Sequence, residues 1–122
     1  MRALIVDDDV EFLTLMEKRL SKRGIVVETA MDGAKALEAM ERAENDDAFS
    51  VVVMDVRMPG MDGIETLRCM KAKAPNIPVI LLTGHAAVAV ATDGLELGAF
   101  DYMLKPVPIE DLIAKMEEAI RG

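Results

Sequence analysis

Three short runs are apolar without interruption: Leu4–Val6, Val51–Met54 and Val79–Leu82. They are rich in β-branched side chains and bounded by polar or turn residues, which fits strands covered on both faces, as in a parallel sheet between helices. Ile25–Thr29 and Phe100–Leu104 carry polar positions and predict strands nearer a sheet edge. Between the runs the apolar spacing becomes helical. Phe12, Leu13, Met16 and Leu20 share one stripe, with Asp8 and Glu11 predicting a capping box at its start and Gly24 its end. Ala36, Leu37 and Met40 mark a second helix, and Ile64, Leu67 and Met70 a third that stops before Pro75. Ala87 to Leu97 predicts a fourth, interrupted by Gly94 and capped by Gly98. Ile109, Leu112, Ile113, Met116 and Ile120 give a fifth behind Pro108. The charged stretch from Glu41 to Asp47 reads as a solvated connection. Strands alternating with helices through short connections imply right-handed crossovers and a three-layer α/β/α sandwich.

In open α/β sheets ligands bind beyond the carboxyl ends of the strands. Asp7 and Asp8 follow the first run, Ala30 the second, Asp55 the third, Thr83 the fourth and Lys105 the fifth. Taken singly, each polar residue has an ordinary explanation. An Asp near a helix start caps it, and Asp55 precedes the turn signals Pro59-Gly60 and Asp62-Gly63. Thr83 before Gly84 can satisfy loop backbone, and Lys105 before Pro106 can be a solvated charge. None of these explains why three carboxylates, a hydroxyl and an amine all fall on the same side of one sheet.

Crowded carboxylates repel and need a counter-charge, and a hard divalent cation supplies it: Mg2+ takes one or two carboxylates together with waters and phosphate oxygens. With Asp7 and Asp8 on the ion, Asp55 is placed to be a nucleophile toward a phosphoryl group. Lys105 would stabilise the transferred oxygens and Thr83 would donate to one of them. The chemistry predicted is an aspartyl-phosphate site.

Composition narrows the class. The 122 residues suit one domain, residues 1–122, and are 52% hydrophobic and 30% charged, enough to bury a core. Lys and Arg number 14 against 22 Asp and Glu, a formal charge of -8 that disfavours direct nucleic-acid binding. Cys69 is alone, which excludes an internal disulfide and points to a reducing, cytoplasmic setting. The apolar start is too short for a signal peptide or a membrane span, so no membrane association is expected. The 10 methionines read as an adaptable interior.

The stretches LIVDDD (Leu4–Asp9), VVVMDVRMPGMDG (Val51–Gly63), VILLTGHAA (Val79–Ala87) and GAFDYMLKP (Gly98–Pro106), in that order, resemble the receiver domain of a two-component response regulator across essentially the whole chain. The resemblance implies a flavodoxin-like five-stranded parallel sheet in the order 2-1-3-4-5. It also implies Asp55 as phosphoacceptor from a phosphohistidine on a sensor histidine kinase or histidine phosphotransfer protein. Asp7 and Asp8 resemble the acidic pair that positions Mg2+ (or Mn2+ in its place), Asp8 as direct ligand, with Asp55 and the backbone carbonyl of Arg57 completing the protein's share. Thr83 resembles the switch hydroxyl, Tyr102 its paired aromatic and Lys105 the phosphate-contacting lysine, and the Lys105–Pro106 bond is expected to be cis. Such a protein is a signal transducer rather than an enzyme. It acts only on its own phosphorylation and dephosphorylation, and shifts the face formed by the fourth helix, fifth strand and fifth helix. An output domain, a downstream target or a phosphorylation-linked homodimer would read that shift.

Arg57 and His85 each lie two residues beyond a site residue, Asp55 and Thr83, and are expected to tune the lifetime of the acyl phosphate. Two other readings compete. A Mg2+-dependent aspartate-nucleophile phosphatase shares the Asp7-x-Asp9 beginning, but Glu11 stands where its motif wants Thr or Val, and no substrate cap is evident. A receiver-like interaction module that takes no phosphate would not need the complete set of site residues seen here. A nucleotide or flavin fold lacks its glycine motif.

Overall fold

The computed structural model describes residues 1–43, 48–57 and 62–122. Its elements are β1 (Arg2–Val6), α1 (Val10–Ser21), β2 (Val26–Ala30), α2 (Gly33–Arg42), β3 (Val51–Asp55), α3 (Gly63–Lys73), β4 (Val79–Thr83), α4 (Val88–Glu96), β5 (Asp101–Leu104) and α5 (Ile109–Arg121). A 3-10 turn, His85–Ala87, leads into α4. All strand pairs are parallel, in the order β2-β1-β3-β4-β5. The three uninterrupted apolar runs became the three central strands, which are covered by helices on both faces and by strands on both edges, whereas β2 and β5 lie at the rims of the sheet. On one face Leu4, Val6, Val52, Met54, Val79 and Leu81 pack with α2, α3 and α4. On the other, Ala3, Ile5, Val51, Val53, Ile80 and Leu82 pack with α1 and α5. Alternate residues serving opposite cores is the period-2 geometry of a strand. The flanking strands are half exposed, Val26 on β2 by 54%. Lys115 on α5 is tied to Asp101 of β5 at 2.8 Å.

Several expectations need correction. The cap of α1 is Asp9, not Asp8: Asp9 has extended backbone and its Oδ1 accepts from Phe12 N–H at 3.2 Å. The capping box with Glu11 therefore does not form, and Asp8 is left free for other work. Asp9→Ala is expected to cost about 1 kcal/mol, measured by urea melting, whereas Asp8→Ala leaves α1 intact. Glu41 belongs to α2 rather than to a connection; residues 44–47 of that stretch, like Pro59-Gly60, lie outside the described residues. Gly94 does not interrupt α4. A Cβ there would stand 2.4 Å from Leu81 Cδ1, so the missing side chain lets the helix settle on β4. Ala87 belongs to the 3-10 turn, and Ile120, at 42% exposure, falls outside the buried stripe of Leu112, Met116 and Ala119. Gly24 and Gly98, both at positive φ, follow α1 and α4 as expected.

Candidate functional site

Backbone pairing continues past the ends of the strands and fixes where each polar residue starts. Asp7 N–H donates to Ala30 C=O (3.0 Å), Val56 N–H to Leu82 C=O (3.0 Å) and Lys105 N–H to Thr83 C=O (2.8 Å). Asp7, Asp55 and Lys105 thus leave the sheet at one edge. Carboxylate oxygens of Asp7, Asp8 and Asp55 lie within 4.8 Å of one another. Lys105 Nζ bridges two of these residues, donating to Asp7 Oδ2 (2.5 Å) and Asp55 Oδ2 (3.0 Å). The remaining oxygens are also engaged: Asp9 N–H donates to Asp7 Oδ1 (3.0 Å) and Arg57 N–H to Asp55 Oδ1 (2.9 Å).

The site is graded in depth. The Asp7 side chain is 1% exposed, Asp55 16% and Lys105 26%, while Asp8 stands in solvent. Partial burial pushes the Lys105 ammonium toward losing its proton, but the hydrogen bonds and charges of Asp7 and Asp55 outweigh this and raise its pKa above the ordinary lysine value. It therefore stays charged throughout the neutral range. One ammonium against three carboxylates leaves the cluster two charges negative. That excess, made only of hard oxygen donors and open on the Asp8 side, fits a magnesium-like cation.

Thr83 is wholly buried at the end of β4, and its hydroxyl donates to the Gly84 carbonyl at 3.0 Å. Tyr102 is half buried on β5, in register with Leu81, and packs against the α2–α4 core. The structure therefore brings Asp7, Asp8, Asp55 and Lys105 into one cluster, with Thr83 on the adjoining strand end. The side chains of the two proposed tuning residues behave differently. The Arg57 guanidinium meets the Ala86 carbonyl at 3.5 Å and so links the loop after β3 to the turn before α4. His85 is exposed in that turn. The Lys105–Pro106 bond is cis. One neighbour escaped the sequence reading. Phe12, read there as core, places its ring centroid 4.4 Å from Lys105 Nζ. Its only sequence signal is its place in the first turn after the Asp7–Asp9 run.

A doubly wound parallel sheet with an acidic cluster and a lysine at its carboxyl edge is the architecture of a phosphorylation-dependent signalling module. The family described as "Response regulator receiver domain" matches residues 3–117, and the chain belongs to it. It is 39% identical over 117 residues to the transcriptional regulatory protein ZraR of Escherichia coli (strain K12), covering 96% of this chain and 26% of that protein. It is 38% identical over 116 residues to the DNA-binding transcriptional regulator NtrC of the same organism, covering 95% and 24%. The chain thus spans about a quarter of the length of these relatives. Among solved structures, a response regulator receiver domain from Clostridium thermocellum superposes with a TM-score of 0.91 at 33% identity, covering 98% of this chain and 94% of that one. The chain is a receiver domain of the two-component response regulators. No helix among the described residues is long and apolar enough to cross a membrane.

Proposed function

We propose that residues 1–122 act as one switch unit that takes a phosphoryl group onto Asp55. The observation that carries this reading is the Lys105 ammonium held between Asp7 and Asp55, with the Asp8 carboxylate beside them at the sheet edge. A carboxylate oxygen of Asp55 attacks phosphorus, the phosphorus–nitrogen bond of a phosphohistidine breaks, and the imidazole of the partner kinase or phosphotransfer protein leaves. Asp7 and Asp8 would hold Mg2+, Asp8 directly, joined by Asp55 and the backbone carbonyl of Arg57. When bound, the ion offsets charge on the phosphoryl oxygens. Lys105 then pairs with one of those oxygens, and the Thr83 hydroxyl exchanges the Gly84 carbonyl for another. That movement vacates space which Tyr102 takes up, and the face of α4, β5 and α5 shifts. Arg57 and His85 border the path of the water that ends the signal. An output domain, a downstream target or a second receiver would read the shifted face in the cytoplasm.

The test is intact mass after incubation with Mg2+ and acetyl phosphate, run beside Asp55→Ala. The expected result is one added phosphoryl group that requires both the metal and Asp55. Labelling that survives Asp55→Ala would assign the nucleophile elsewhere, and an unlabelled wild type would leave an interaction module. Followed after donor removal, the same measurement reads the phosphoryl lifetime. An unchanged lifetime in Arg57→Ala and His85→Ala removes their tuning role.

A further inference from the structure

Lys105 carries a long, flexible stem, and its two carboxylate partners lie at the very place where a cation and a phosphoryl group are to enter. Once those oxygens are claimed, both of its hydrogen bonds in the resting site are lost. The contact that need not change is the face of Phe12, 4.4 Å from Nζ and well within the range of a cation–π interaction. The ring is itself held. Phe12 N–H is capped by Asp9, and the side chain is half buried against the core shared by α1 and α5. The first turn of α1 thus sets an aromatic face against the ammonium that the two carboxylates hold.

We propose that Phe12 is the positioning residue of Lys105: its ring keeps the ammonium at the Asp55 edge while the carboxylates change partners. This rests on the reading of Asp55 as phosphoacceptor. A ring acting only as core filler could be replaced by leucine of similar size, whereas a ring acting on the charge could not. Tyrosine keeps the π face and should serve.

The experiment follows the ε-methylene resonance of Lys105 by NMR, together with the rate of mass gain from acetyl phosphate as Mg2+ is varied. In the wild type the resonance is expected upfield of the other lysines, because it lies over the ring. Phe12→Leu is expected to lose that displacement and to lower the maximal labelling rate about fivefold, with the half-saturating Mg2+ concentration unchanged. Phe12→Tyr is expected to restore both. A wild-type Lys105 that resonates with the other lysines overturns the proposal without any variant. So does a Phe12→Leu protein labelling at the wild-type rate, a Phe12→Tyr as slow as Phe12→Leu, or a half-saturating Mg2+ that moves along with the rate. A wild type with the upfield resonance but no label at Asp55 overturns the phosphoacceptor reading instead, and the positioning role falls with it.

Discussion

Lys105→Met is expected to lower folding stability by about 2–3 kcal/mol in the presence of a chelator, and to regain most of that loss when Mg2+ is added. The substitution preserves most of the stem and removes the charge. Asp7 and Asp55, 1% and 16% exposed, are then left without the ammonium that both of them accept from. Breaking a fully buried pair by deleting one partner costs about 3–5 kcal/mol, and the open mouth of this site lowers the figure. A cation that binds the folded cluster but not the unfolded chain stabilises by an amount that grows with its concentration, about 2.7 kcal/mol at a hundred times its dissociation constant. In the wild type the ammonium would compete with Mg2+ for the same oxygens, so the cation should add less there. Urea melts of both proteins, in chelator and in Mg2+, give the four values needed. A variant as stable as the wild type in chelator, or one that Mg2+ does not rescue, would mean that Lys105 is not the resting counter-charge. The labelling rate should also drop, by about a hundredfold, since in the proposed reaction the same ammonium would offset charge on the transferred oxygens.

What could be read in advance was whatever depends on burial of a continuous segment. Val51–Met54 and Val79–Leu82 have no polar position because both faces of β3 and β4 are covered, and their polar successors, Asp55 and Thr83, follow from the pattern. The edge strands were harder, because β2 mixes an exposed Val26 with a buried Ala30. Three consecutive aspartates also hid a division of labour. Asp7 is buried in the site, Asp8 joins the same cluster from its exposed side and Asp9 caps α1, a division that three identical residues in a row do not announce. The strand-end pattern put Asp7, Asp55 and Lys105 on one side of the sheet but not which of them pair. Asp7 and Lys105 are 98 residues apart, and nothing local in Phe12 distinguishes a ring lying over an ammonium from a ring in the core. Gly94 looked like a helix break because its cost in a helix is local, whereas its reason, the approach to Leu81, is tertiary.

Gly63→Ala is expected to destabilise the fold by about 2–3 kcal/mol, whereas Gly94→Ala changes it by less than about 1 kcal/mol. Both glycines face a clash if a Cβ is added, but the obstacles differ. At Gly94 the nearest atom is the methyl end of Leu81, 2.4 Å away, which can rotate aside. The alanine also recovers about 1 kcal/mol of helix propensity. At Gly63 the new carbon would meet only backbone, at the end of β3: Val56 Cα at 2.6 Å, Asp55 O at 2.7 Å and Val56 O at 2.8 Å. No rotamer relieves that contact. The start of α3 must back away from the end of β3, and the bond from Gly63 N–H to Val56 C=O (3.1 Å) stretches or breaks. Because Asp55 is the last residue of β3, the retreat also moves the proposed nucleophile relative to Lys105, and misplacement by about 1 Å is enough to slow a positioned reaction about a hundredfold. Thermal melts should therefore show Gly63→Ala lower by about 10 °C, and its labelling by acetyl phosphate impaired even well below its melting temperature. Gly94→Ala should melt near the wild type and label normally. If the two variants behave alike, contact with the strand end is not what requires glycine at position 63.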